Sequence, residues 1–264
     1  MNRPCVLVFS GADPSGGAGT HADSQAITAM GAHALPVITA LTVQDNQRVH
    51  AIHPVDPGLV MAQAQALIDR IAIAAVKIGV IGSAANAQVI AALVGVLRER
   101  RPDLPVVLDP VLASGAGDAL AAGDAREQIR RLIPLATLIT PNVPEALALT
   151  AADAPIAQAA VLQGYGCPNV LIKGGHAAGP RVINRWFGSA QGQQWEWPRL
   201  PGAFHGSGCT LAAAIAARLA LREPLAVALA RAQAYCHHAL ADAYTIAPGQ
   251  RIPDRRALRQ GAFA

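Results

Sequence analysis

The segment CVLVFSGADPSGGAG, Cys5–Gly19, sets the architecture. Its first six residues, Cys5–Ser10, are apolar at successive positions as far as Phe9, which predicts a strand buried on both faces rather than one with a wet side. A glycine-rich turn follows, and Ala18–Met30 then carries a helical pattern. A two-sided strand feeding a loop and a helix is the opening unit of a parallel sheet covered by helices.

The unit recurs along the chain. Strands are predicted at Ala34–Thr42, Val76–Ile81, Val106–Leu108, Leu138–Ile139 and Asn169–Lys173. Helices are predicted at Pro57–Arg70, Ala84–Arg100, Asp118–Leu132 and Ala154–Gly164. Val182–Phe187 and Gln193–Trp197 flank a glycine-containing turn and read as an antiparallel hairpin at the sheet edge. Two helices close the chain, Gly208–Leu221 and Pro224–His238, with Pro224 suited to a first helical position. No internal repeat or low-complexity linker interrupts the pattern, so residues 1–264 read as one domain. The fold class expected is a three-layer α/β/α sandwich with a mostly parallel central sheet and a small antiparallel edge hairpin. The polar tail after Pro248 is expected to be loosely held.

Composition narrows the function. Hydrophobic residues make up 52% of the 264 and charged residues 14%, the opposite of the balance that produces disorder. The net charge is +4, but the basic residues are scattered. The densest run, Arg98–Arg101, holds Glu99 and reads as the polar end of a helix, so no nucleic-acid partner is expected. Cys5, Cys167, Cys209 and Cys236 form no CxxC pair and no zinc spacing, which points to a reduced, cytoplasmic protein. Met1–Pro4 runs straight into a strand, so no signal peptide is expected. Ile78–Leu97 is uncharged and long enough to span a bilayer. Its first half nevertheless holds Gly79, Gly82, Ser83, Asn86 and Gln88, which fit a strand, a loop and a helix start, so no membrane partner is expected.

Ligands of parallel sheets bind beyond the carboxyl ends of the strands. Those ends here carry Gly11–Gly19, Gln44–Asn46, Asp109–Pro110, Thr140–Glu145 and Lys173–His176, joined by the loop His205–Cys209. Gly206, Ser207, Gly208 and Cys209 open a long apolar helix. Glycines there can turn several backbone N–H groups toward one point, and the helix dipole favours a phosphate or a developing oxyanion. Cys209 falls in the first turn, where a thiol pKa is expected to drop, so that it would take up or orient a hydroxyl proton. A glycine-capped helix with a buried cysteine reads equally well from these residues alone.

Asp109, Asn142 and Glu145 offer hard oxygen atoms suited to Mg²⁺ on nucleotide phosphates, although each also suits a cap or a turn. Lys173, one of two lysines with Lys77, ends an apolar strand beside two glycines, as a phosphate contact or a solvated strand end. Gly17–Ala22 matches the dinucleotide pattern G-x-G-x-x-A only loosely: its turn is long and no acidic residue follows at the right distance. The loop better suits a small flat ligand. Neither lysine sits in a P-loop.

With these segments assembled, the chain resembles the hydroxymethylpyrimidine/phosphomethylpyrimidine kinases of thiamine biosynthesis, in the ribokinase-like superfamily. The resemblance is carried by SGADPSGGAG (10–19), ITALTVQDN (38–46), VKIGVIGS (76–83), LDPV (108–111), TPNVPEA (140–146), KGGH (173–176) and HGSGCT (205–210), in family order. It implies a cytoplasmic, ATP- and Mg²⁺-dependent kinase of 4-amino-5-hydroxymethyl-2-methylpyrimidine and of its monophosphate, working as a homodimer. Carried over by position, Gln44 would hydrogen-bond the aminopyrimidine, and Gly11, Ala18, Val43 and Val80 would frame it. Gly206–Cys209 would form the anion hole, with Cys209 where sugar-kinase relatives keep an aspartate base. Asp109 and Glu145 would serve Mg²⁺, and Asn142 and Lys173 would lie along the ATP phosphates.

Some positions depart from the family pattern. Ser207 replaces the usual Thr, Thr20–His21 replaces an apolar–Gln pair, Ala177–Phe187 lacks an acidic residue, and Pro198–Phe204 lacks a polar lead-in. The alternatives are a pyridoxine or pyridoxal kinase of the same superfamily, a non-catalytic pyrimidine-binding module, and an NAD-dependent enzyme resting on Gly17–Ala22 alone.

Overall fold

A computed structural model describes residues 3–114, 117–189 and 191–256. The strands are β1 (Cys5–Ala12), β2 (His33–Gln44), β3 (Val49–Pro54), β4 (Ile73–Ile78), β5 (Val106–Leu108), β6 (Leu138–Ile139), β7 (Val170–Ile172), β8 (Arg181–Phe187) and β9 (Gly192–Pro198). They form one nine-stranded sheet in the order β3-β2-β1-β4-β5-β6-β7-β8-β9. From β2 to β7 the neighbours are parallel. The sheet is antiparallel at both ends, through β3 on one side and β8–β9 on the other, whereas the sequence pointed to one edge hairpin.

Alternation along the central strands builds two cores, because successive side chains point to opposite faces. Leu7 and Phe9 of β1 pack with Val37 of β2 and Ile78 of β4 on one face. That face is covered by α2 (Pro57–Ile68), α3 (Ala84–Arg100), α4 (Ala125–Leu132), α5 (Val143–Thr150) and α6 (Pro155–Gly164). Val6 and Val8 face the other way, under α1 (Gly19–Ala29), α7 (Ser207–Ala220) and α8 (Leu225–Ala241). Ala212, Ala213, Ala214, Ala216 and Ala217 of α7 are all fully buried. Their small side chains let α7 lie close between the sheet, α1 and α8; a longer side chain would overpack it.

Local chemistry explains where elements start and where the expectations missed. The helix read from Asp118 begins only at Ala125: Gly123 has φ +79°, and Asp124 caps the helix by accepting from the Arg126 amide. Asp118 is held instead by the Arg48 guanidinium, at 2.6 Å, and by the Val49 amide. β4 stops at Ile78 rather than Ile81, as Gly79–Gly82 turns away with φ +88° at Gly82. The expected turn after Thr140 opens α5, because Asn142 and Glu145 form a reciprocal capping box. Pro224 sits at the N-cap, one place before its helix. β3 was not foreseen, since His50 and His53 break its apolar pattern.

The tail is not loose as far as Arg256. Arg251 exchanges backbone hydrogen bonds with Ala203 and His205, and Asn46 donates to the carbonyls of Ala247, Pro248 and Gln250. Residues 257–264, also part of that expectation, lie outside the described residues. Among the described residues no single helix is long and apolar enough to cross a membrane.

Candidate active site

A cavity of about 520 Å³ opens at the carboxyl ends of the parallel strands. Its lining brings together Gly11, Ala18, Gln44, Val80, Asp109, Asn142, Glu145, Lys173 and Gly206–Cys209. Val43, expected to frame a ring here, is not among the lining residues. Its neighbours Thr42 and Gln44 face the cavity, and the alternation of β2 leaves Val43 half-exposed on the other side.

Two glycine-rich loops make the floor, and each needs glycine where they meet. Gly19 has φ +58°, and a Cβ there would stand 2.2 Å from the Gly11 carbonyl oxygen. Gly206 has φ +75°, and its Cβ would stand 2.1 Å from the Gly17 oxygen. Neither position admits a side chain without moving backbone. The first loop is organised by Asp13, whose carboxylate accepts from the amides of Ser15 and Ala18 at 2.8 and 2.7 Å. His205 Nε2 lies 2.8 Å from Asp13 Oδ2 and joins the two loops. Burial alone would raise the Asp13 carboxyl, but the hydrogen bonds from His205 and Ser15 outweigh it and hold the group at about 2.

Beside this floor lies a charged cluster. Lys173 Nζ is 3.0 Å from Asp109 Oδ1, which also accepts from Thr140 Oγ1 at 3.2 Å. A Cβ on Gly208 would lie 3.3 Å from Lys173 Nζ and 3.6 Å from Asp109 Oδ2, so the bare start of α7 leaves room for both groups. Glu145 accepts from the Asn142 amide at 2.7 Å, and Asn142 Oδ1 accepts from the Glu145 amide at 2.8 Å. Burial, with the Asp109 charge added, pushes the Glu145 carboxyl up against the pull of Lys173.

These residues fit magnesium as a carrier of phosphates. Among the described residues no group of three His, Cys, Asp or Glu side chains forms a closed metal cage. Mg²⁺ keeps several waters and needs only one or two carboxylates besides a nucleotide. Asp109 and Glu145 supply that pair of carboxylates, and a bound cation would favour the ionised form of Glu145 that burial disfavours.

Cys209 behaves differently from the expectation. Burial pushes its thiol up to about 11, against the pull of Lys77, with Asp23 and Asp109 adding to the rise. A helix start lowers a thiol pKa only where the thiolate is also solvated or paired. At neutral pH this group is therefore a thiol, able to hold a hydroxyl but not to take its proton beforehand.

The far end of the cavity is aromatic and amide-lined. The Trp197 and His237 rings lie 5.0 Å apart, tilted by 30°. Asn184 accepts from the Gly174 amide at 3.0 Å and donates to Gln233 at 2.8 Å. The stretch after Lys173 that lacks an acidic residue is held by Arg199, which donates to the carbonyls of Gly175, Ala177 and Gly179. A guanidinium fork thus organises this loop.

Sequence reasoning passed over Asp13, His205, Lys77 and Arg199. For Asp13 the turn-forming Asp13–Pro14–Ser15 was a usable signal. For Lys77, a lone lysine inside an apolar strand was one. For Arg199 there was none, because its partners are backbone carbonyls.

A family model described as phosphomethylpyrimidine kinase matches residues 13–253. A hydroxymethylpyrimidine/phosphomethylpyrimidine kinase of Streptomyces coelicolor is 38% identical over 94% of this chain and 93% of its own length. The crystal structure of a phosphomethylpyrimidine kinase from Clostridium difficile superimposes with a TM-score of 0.75 at 30% identity, covering 89% of this chain and 98% of that one. An ADP complex of Bacillus subtilis pyridoxal kinase gives a TM-score of 0.87 over 98% and 100% of the two chains, at 24% identity, a likeness of fold.

Proposed function

This chain belongs to the phosphomethylpyrimidine kinase family, and on that premise we propose that it transfers the γ-phosphoryl group of ATP to the hydroxymethyl arm of 4-amino-5-hydroxymethyl-2-methylpyrimidine. The monophosphate so formed is the second acceptor. The chain is a phosphotransferase with the ribokinase-like fold. The observation that carries the assignment is one cavity holding both an amide side chain for a heteroaromatic ring, Gln44, and a ring of helix-start amides, Gly206–Cys209.

Gln44 offers one donor and one acceptor, the pair an aminopyrimidine edge requires. Its side chain makes no hydrogen bond to another described residue, which supports a ligand contact. Gly11, Ala18 and Val80 frame the ring with small or apolar surface. The amides of Gly206–Cys209 face the γ-phosphoryl group, and Lys173 neutralises its oxygens. Asn142 lies along the same phosphates. Asp109 and Glu145 would hold Mg²⁺, which when bound offsets the phosphate charge.

The hydroxyl oxygen attacks phosphorus in line as the bond to the bridging oxygen breaks and ADP leaves. In a loose transition state the proton can depart late, so a thiol that only orients the hydroxyl is enough. The aromatic end, with Trp197 and His237, suits the nucleobase.

The same reading makes residues 1–264 a single catalytic domain of the cytoplasm acting as a homodimer. Leu41 and Val43, about half exposed beside the edge strand β3, support a self-association face, and light scattering reads its stoichiometry. The deciding assay is coupled ADP release with the pyrimidine, its monophosphate and pyridoxal side by side. A kcat/KM favouring the pyrimidine supports the reading, and one favouring pyridoxal overturns it.

A further inference from the structure

Arg255 is a buried cation whose hydrogen bonds, among the described residues, all end on neutral oxygens. The residue is 3% exposed. Nε donates to Thr210 Oγ1 at 2.8 Å, and Nη1 to Gln25 Oε1 at 3.4 Å. Nη2 donates to the Gly17 carbonyl and, at 3.4 Å, to the His205 carbonyl. Among the described residues no carboxylate accepts from it. Burial accordingly pulls its pKa below the ordinary guanidinium value.

An unpaired buried charge is costly, and an apolar side chain of similar volume would fill the space more cheaply. Besides bracing these oxygens, a cation at this place favours negative charge arriving nearby. Its acceptors point to where. Gly17 closes the first glycine loop, and His205 and Thr210 flank Gly206–Cys209. A Cβ on Gly206 would lie 3.0 Å from Arg255 Nη2, so the guanidinium stands directly behind the anion hole.

The residue is also held rigidly. The Tyr235 hydroxyl donates to the Arg255 carbonyl at 3.0 Å, and the Asp254 amide donates to the Ala239 carbonyl at 2.9 Å. Ile252, 2% exposed, packs against Gly17. The polar C-terminal segment is therefore a strap across the back of the site.

We propose that Arg255 is a positioning residue for phosphoryl transfer: it binds the Gly17 and His205 carbonyls together so that the Gly206–Cys209 amides converge, and its unpaired charge favours the anion in front of them. This rests on the kinase reading above. The guanidinium holds the Gly17 carbonyl next to Ala18 but makes no hydrogen bond to Gln44, so the role predicts that turnover falls more than pyrimidine binding.

The test compares R255Q and R255K with the parent, using the pyrimidine and MgATP as substrates and ADP with aluminium fluoride as the probe for the transferred group. R255Q is expected to lose roughly thirtyfold or more in kcat while its KM for the pyrimidine stays within about threefold. R255K, which keeps the charge, is expected to regain about tenfold of that loss. Affinity for ADP with aluminium fluoride should fall in step with kcat, and affinity for ADP alone should not move. A kcat within about twofold of the parent in R255Q overturns the proposal, as does a parallel loss of kcat and pyrimidine affinity in both variants. Should R255Q lack a cooperative melting transition, R255K decides: a kcat loss without the matching loss of aluminium fluoride affinity overturns it. A parent chain that releases no ADP with the pyrimidine overturns the kinase reading and this inference with it, whereas an active parent and an unimpaired R255Q overturn the inference alone.

Discussion

Lys77 Nζ donates to Asp23 Oδ2 across 2.9 Å, and solvent reaches neither side chain. The pair ties β4 to α1 beneath the cavity. A Cβ on Gly79 would come within 2.5 Å of the ammonium, so the strand end is shaped around this cation. Burial opposes the charge on Lys77, but the Asp23 carboxylate, helped by the Asp109 charge, keeps it protonated.

Removing one partner leaves the other charge stranded. Lys77→Met is expected to cost about 3–5 kcal/mol in urea unfolding, and Asp23→Leu a similar amount. The double variant should recover much of the loss. A double variant as unstable as the sum of the two singles would show that the pair is not the source of the effect.

Asp13 makes the fold acid-sensitive with a definite sign. Its carboxyl titrates at about 2 when folded, against 3.8 as a free group. A lowered folded pKa contributes stability above the unfolded value and loses it as pH falls from about 4 toward 2, about 2 kcal/mol in all. Asp13→Asn should therefore be less stable at pH 6 and less steeply destabilised between pH 4 and pH 2. Parallel stability curves for variant and parent over that range would refute the assignment.

The raised Cys209 thiol gives a chemical readout. Its alkylation by iodoacetamide, followed at the residue by mass spectrometry, should keep rising about tenfold per pH unit beyond pH 9. A plateau by pH 8 would mean a thiolate at neutral pH. Cys209→Ala should lower kcat more than it changes the KM for the pyrimidine, since orientation of the hydroxyl acts in the transition state. Equal kcat values would reduce Cys209 to packing.

Gln44→Ala is expected to weaken pyrimidine binding by about 1–3 kcal/mol, the usual cost of losing a polar partner in a closed site. Calorimetry with the pyrimidine alone measures it, and an unchanged affinity removes Gln44 from recognition.

The parallel core was legible because two-sided strands such as Cys5–Ser10 have a distinctive apolar run. The gathering of candidate residues into one cavity at the strand ends was legible for a related reason: glycines, a lysine and a strand-end aspartate are out of place in a core. Position, however, does not report environment. A first-turn cysteine reads as a lowered thiol, yet burial at Cys209 decides the other way. Val43 sits next to Gln44 in sequence, and the pleat sends it to the opposite face. Contacts between distant segments left no local trace, which is why the Asp13–His205 pair and the polar tail at Gln250–Arg255 were not foreseen.

That tail leaves the ribosome after the loop it braces. Arg255 follows His205 by 50 residues. At roughly 5–20 residues per second, the ribosome delivers the loop seconds before its brace. A growing chain can thus complete its sheet while the loop at His205–Cys209 still lacks the guanidinium that braces it.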